Sequence, residues 1–153
     1  MVDNEPGVLS RVTGLISGRG FNIDSLSVAE TIDPEVSLIT LVTTGSPAII
    51  EQIIKQLRKL INVIKVVDLT ETDFVERELA LIRVRAEAKN RAEVLRIVDI
   101  FRCKVVDVSQ KHYMIEVTGS EGKIKALLDL LGSFGIEEIV CTGRIAMARS
   151  KKQ

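Results

Sequence analysis

Residues 4–42 read NEPGVLSRVTGLISGRGFNIDSLSVAETIDPEVSLITLV: a turn, a helix, a second turn and two strands in direct succession. Asn4-Glu5-Pro6-Gly7 is turn chemistry. Behind it Val8, Val12, Leu15 and Ile16 recur at the spacing of one helical face, so a helix begins near Gly7 and ends at Gly18-Arg19-Gly20. Phe21-Asn22-Ile23 opens a strand within residues 22–31, and Asp33-Pro34-Glu35 turns the chain into Val36–Val42, completing a hairpin. Pro47 starts a second helix with Ile50, Ile53, Ile54, Leu57 and Leu60 on one face, and Val63-Ile64-Lys65-Val66-Val67 returns as a strand. With a short strand ahead of Asn4 the order is β-α-β-β-α-β. That order predicts an α+β fold of ferredoxin-like type, with both helices on one face of an antiparallel sheet.

The same pattern is written a second time. Leu69-Thr70-Glu71-Thr72-Asp73 is polar and aperiodic and marks a linker, placed at residues 71–76 between domains of residues 1–70 and 77–153. Beyond it Ala80, Ile82, Val84 and Ala86 alternate with Arg83 and Arg85 as a half-buried strand, and Val94, Ile97, Val98 and Phe101 share a helical face. Residues 104–109 and 113–118 form a hairpin around Gln110-Lys111. Ile124, Leu127, Leu128 and Leu131 mark another helix, and residues 136–141 close with a strand. Two units of about 75 residues each bury modest cores, and each sheet keeps one face without helices, so association is expected. The edge strand beginning at Asn22 is a natural place for a second copy to pair across a two-fold axis.

Composition removes several classes of function. The 153 residues carry 21 basic and 21 acidic side chains, so no net charge favours nucleic acid or membrane, and Arg149-Ser150-Lys151-Lys152 reads as a solvated basic tail. Four Phe and one Tyr offer no base-stacking platform. No apolar stretch approaches the length of a bilayer span, no signal peptide is visible, and a cytoplasmic location is the default. Cys103 and Cys141 are too few and too far apart for a zinc ribbon or a CxxC pair and read as buried apolar residues. His112 stands alone near a hairpin, and Glu137-Glu138 read as solvated strand-end charges.

The chemistry that remains lies at the two ends of the first helix. The leading N–H groups of Gly7, Val8 and Leu9, with the positive end of the helix dipole, suit a carboxylate, and Gly7 has no side chain to hold a ligand off. At the far end the Asn22 amide is placed to bind either an ammonium or a carboxylate. Together they suit a small zwitterion.

DNEPGVLSRV (residues 3–12), SGRGFNIDSLSV (17–28), VERELALIRV (75–84) and IFRCKVVDVS (100–109) resemble the acetolactate (acetohydroxyacid) synthase small subunit family over essentially the whole chain. The first unit resembles an ACT domain, a module that binds amino acids at dimer interfaces. The resemblance implies a non-catalytic homodimer that activates a separate large catalytic subunit and makes it sensitive to valine. It implies no cofactor on this chain; thiamine diphosphate, magnesium and FAD are expected only on the catalytic subunit. Asn4, Gly7 and Asn22 match the family's valine-site positions, with Val8, Leu9 and Ile23 supplying backbone groups or apolar contact. Ser10 matches a position linked to valine response, and equally suits a first-turn hydroxyl that stabilises the helix. In the family several residues precede the match to Asp3, so residues upstream of Met1 are expected to be missing or the first strand clipped.

A stand-alone enzyme finds no support in the sequence, which shows no P-loop, no GxSxG, no metal-spaced His/Cys set and no thiamine diphosphate site. An ACT-domain amino-acid regulator of another pathway is the alternative reading.

Overall fold

The computed structural model describes residues 1–150 and divides into two compact units, one of residues 1–75 with 144–150, the other Glu76–Gly143. In the first unit α1 (Val8–Ser17) buries Val8, Val12 and Ile16, four residues apart on one face. Gly20, at φ 77°, then carries the chain through a left-handed turn that a side chain would strain. Strands β1 (Val2–Asp3), β2 (Ser25–Glu30) and β3 (Val36–Val42) form an antiparallel sheet ordered β1-β3-β2, leaving β2 at the edge. Its hairpin pairs Ser25 with Val42 and Glu30 with Ser37. Helix α2 (Pro47–Leu57) starts on Ser46, whose hydroxyl accepts from the Ile49 N–H. Ile53 joins the core of Val2, Val8, Val12 and Ile16, with Ile49, Leu57 and Leu60 packed beside it.

Two expectations for this unit change. The returning strand at residues 63–67 shrinks to a single bridge between Val2 and Val63, supported by Asp3 N–H to Asn62 O at 2.9 Å and Ile64 N–H to Met1 O at 3.0 Å. Its neighbour β1 is two residues long, so only one rung has a partner. The second strand begins at Ser25 rather than at Phe21-Asn22-Ile23, because the side chains of Asn22 and Asp24 bond locally and compete with the ladder.

The second unit contains β4 (Phe74–Arg85), α3 (Arg91–Ile100), β5 (Lys104–Val108), β6 (His112–Gly119), α4 (Glu121–Leu131) and β7 (Ile136–Cys141). The sheet order β5-β6-β4-β7 makes the first strand of the unit central, as the ferredoxin-like arrangement requires. Ala80, Ile82, Val84 and Ala86 are completely buried on one face, under Val94 and Val98 of α3 and Ile124, Leu127 and Leu131 of α4. At about 25 cal/mol per Å² of apolar surface, this larger cluster gives the second unit more hydrophobic stabilisation than the first.

The linker and domain bounds also shift. Residues 74–76 of the expected linker already belong to β4. Residues 145–148, placed in the second domain from sequence, form a short strand β8 (Ile145–Ala148) that pairs with β4, and the chain from Arg144 joins the first unit. The I-A-M-A run of β8 is too short to carry a periodicity. Cys103 packs beside the core as expected, but Cys141 lies exposed on the edge strand β7. Arg149 of the basic tail pairs with Asp73 at 3.2 Å; Lys151 and Lys152 lie outside the described residues.

Candidate functional site

The loop before α1 is held by side chains rather than by a ladder. The Asn4 N–H donates to Glu35 O at 2.7 Å, and its Nδ2 donates to Pro34 O at 2.8 Å and to Glu30 Oε1 at 3.1 Å. Its Oδ1 accepts from Ser37 Oγ at 3.0 Å, which satisfies a hydroxyl that is only 6% exposed. Asn4, expected as a ligand contact, is thus already bonded within its own chain and acts as the brace that fixes the loop against the β2–β3 turn. Asn62 does the same from the other side, donating to Asp3 Oδ2 at 3.1 Å and Glu5 Oε2 at 3.3 Å and accepting from Arg11 Nη1 at 2.7 Å.

Between these braces Gly7 sits at φ 86°, ψ −10°, and nothing lies within 4 Å of where a Cβ would be. The backbone there faces open space. The Val8 N–H makes a long bond of 3.3 Å to Glu5 O, while the N–H groups of Gly7, Leu9 and Ser10 have no backbone partner among the described residues. Such unpaired amides at the head of a helix form an anion site. Asp3 and Glu5 add negative charge beside this loop, so only the directed N–H groups are suited to an anion there. Val8 is 3% exposed and offers only its backbone, whereas Leu9, 40% exposed, presents an apolar side chain beside the amides. The Ser10 hydroxyl is exposed, and its carbonyl accepts from Thr13 Oγ1 at 3.3 Å.

Asn22 and Ile23 lie at the other end of α1. Ten helical residues separate the ends by about 15 Å. One chain therefore brings Asn4, Gly7, Val8, Leu9 and Ser10 together and leaves Asn22 and Ile23 beyond the reach of the same small ligand. Asn22 Nδ2 donates to Asp24 Oδ1 at 2.8 Å, Thr44 Oγ1 donates to Asp24 Oδ2 at 2.7 Å, and Thr43 Oγ1 donates to Asn22 O at 2.6 Å. The bonds from Thr44 and Asn22, with a smaller pull from the Arg144 charge, hold the Asp24 carboxyl below its ordinary pKa. Ile23 packs into the core. Asp24, Thr43 and Thr44 were not singled out from the sequence; the Asn-Ile-Asp spacing was the available signal, since an Asx side chain two residues on commonly bonds its neighbour.

The second unit holds another polar group. Arg85 Nε and His112 Nε2 meet Glu137 Oε1 at 3.1 and 3.0 Å, and Arg83 meets Glu138 at 2.5 Å. Glu137 and Glu138 are exposed, as expected of strand-end charges, and also tie β7 to β4 and β6: Arg83 stands opposite Glu138 in the register, and Glu137, at the irregularity beside it, meets Arg85 and His112. The Arg85 bond, with a smaller one from His112, lowers the Glu137 pKa. Arg85, Glu87, Lys111, His112 and Glu137 line a hollow on this unit. Among the described residues no group of three or more His, Cys, Asp or Glu side chains is arranged to hold a metal ion.

Two ferredoxin-like units in tandem define an α+β protein of ferredoxin-like class, the first unit with an open helix N-terminus and a polar cluster at the opposite helix end. Residues 1–65 match the family model described as the AHAS small subunit-like ACT domain, and residues 77–150 match that of the small subunit of acetolactate synthase. The chain is 49% identical to the probable acetolactate synthase small subunit of Archaeoglobus fulgidus, covering 100% of this chain and 96% of that one. It is 54% identical to the acetolactate synthase small subunit of Aquifex aeolicus, over 97% of this chain and 78% of the relative. The crystal structure of the small subunit from Thermotoga maritima superposes with a TM-score of 0.87 at 42% identity, covering 99% of this chain and 94% of that one. This chain belongs to the acetolactate synthase small-subunit family.

Proposed function

We propose that this protein is the regulatory subunit of acetolactate synthase in branched-chain amino acid biosynthesis, activating a large catalytic subunit and making it subject to feedback inhibition by valine. The observation that carries the reading is the open N-terminus of α1, where the Gly7, Leu9 and Ser10 amides stand unpaired at a left-handed glycine that keeps the approach clear. A valine carboxylate fits those N–H groups and the positive end of the helix dipole, against the charge of Asp3 and Glu5, and Leu9 lies beside it for the aliphatic side chain.

The second half of the site comes from another copy. The length of α1 keeps Asn22 away from Gly7 of its own chain, and β2 lies at the sheet edge with its backbone open to a partner strand. Pairing β2 of two copies about a two-fold axis sets the Gly7 loop of each against Asn22 and Ile23 of the other, which makes the valine-binding form a homodimer. Catalysis, with its thiamine diphosphate, magnesium and FAD, is assigned by this proposal to the large subunit, in the cytoplasm. No helix among the described residues is long and apolar enough to cross a membrane.

The test is pyruvate turnover by the catalytic subunit alone, with this chain added, and with chain plus valine. Turnover should rise on addition and fall again with valine, and the two polypeptides should co-purify. Sustained turnover by this chain alone, or an added chain that changes nothing, would overturn the assignment.

A further inference from the structure

We infer that Asp24 is a positioning residue of the effector site, which fixes Asn22 with its carbonyl oxygen outward so that the site recognises the ammonium group of an amino acid. This rests on the functional reading above and deepens it. A carboxylate only accepts hydrogen bonds, so the 2.8 Å contact between the Asn22 amide and Asp24 Oδ1 must be made by Nδ2. The other Asp24 oxygen is taken by Thr44 Oγ1 at 2.7 Å, and the Asp24 N–H is bonded to Val42 O at 2.9 Å. Thr43 holds the Asn22 carbonyl. The side chain of Asp24 is thereby fixed at both oxygens, and through it the Asn22 amide loses its freedom to turn over. Its Oδ1, which has no partner among the described residues, is left as the group offered to a ligand.

An outward acceptor backed by a carboxylate attracts a cation and repels an anion. Arg144, whose charge also bears on Asp24, moderates that attraction and leaves the orientation of the amide unchanged. The site therefore has a polarity: carboxylate at the amides of α1, ammonium at Asn22. An α-hydroxy acid of the same shape satisfies the first contact and loses the second.

The experiment compares calorimetric binding of L-valine and of 2-hydroxy-3-methylbutanoate, which lacks the ammonium, to the full-length wild type, Asp24→Ala and Asp24→Asn. The wild type should prefer valine strongly. Asp24→Ala should weaken valine by about tenfold or more, the loss expected of one hydrogen bond to a charged group, while hydroxy-acid binding changes much less. Asp24→Asn keeps the shape and one acceptor and should fall between; it carries the comparison if Asp24→Ala does not fold. Equal weakening of both ligands would show a merely structural role and overturn the inference, as would undiminished preference for valine in both variants. A folded wild type that binds neither ligand would instead condemn the functional reading itself.

Discussion

Replacing Gly7 by Asp and, separately, by Asn tests where the ligand carboxylate sits. Gly7 has φ 86°, so both substitutions carry a backbone penalty, at most the roughly 1–2 kcal/mol of a left-handed residue and less for side chains that visit that region. No atom lies within 4 Å of the added Cβ, so no steric clash adds to it. At about 4–8 °C per kcal/mol for a domain of this size, both variants should melt a few degrees lower and to the same extent. The two side chains have the same shape and differ in charge. Asp sets an anion beside the Leu9 and Ser10 amides, and those groups cannot serve it and a ligand carboxylate at once. Losing one charge-assisted hydrogen bond costs roughly 1.5–3 kcal/mol, or about 10- to 150-fold in affinity. Valine titrated calorimetrically should therefore bind the Gly7→Asn variant substantially better than the Gly7→Asp variant. Matched affinities in two folded variants would refute the placement of the carboxylate.

Three further outcomes follow from the packing and the charges. Ile16→Ala empties a completely buried position in the small core of the first unit and should cost about 2–5 kcal/mol, read as a fall in the urea midpoint with faster amide exchange in α1. Glu137 has a depressed folded pKa, so its contribution is present above the ordinary carboxylate pKa and is lost as pH falls through the folded value; the stability gap between wild type and Glu137→Gln should be open at neutral pH and close in acid, measured by thermal melts across pH. A chain ending at Thr72 should keep part of its activation of the catalytic subunit while responding poorly to valine, checked by turnover against valine concentration; normal valine inhibition in that fragment would remove the second unit from signalling.

The repeated succession of strand, helix, hairpin and helix was legible because it rests on long-period features. Val8, Val12 and Ile16 at helical spacing, and Ala80, Ile82, Val84 and Ala86 at strand spacing, are the residues that turned out buried. The features that were misread depend on partners distant in sequence. The stretch at residues 63–67 has strand composition but only two residues of β1 to pair with, and β8 is identifiable only through β4. At the candidate site the loop and the helix start were legible from Pro6 and Gly7. That Asn4 is bonded to Glu30, Pro34 and Ser37 was not, since those contacts span 26 to 33 residues. The left-handed φ of Gly7, which strains any side chain placed there, was likewise hidden.

The shared site is tested most directly by mixing two chains that are each defective, Gly7→Asp and Asn22→Ala, after unfolding and refolding them together. Each homodimer lacks one half of both sites and should bind valine weakly. In a two-fold dimer of the mixed chains one site collects both substitutions and the other collects neither, so random pairing restores about one quarter of all sites. Calorimetry on the mixture should then show a tight valine-binding fraction near that value, absent from either parent. A mixture that binds no better than its parents would contradict a site built from two copies of this chain.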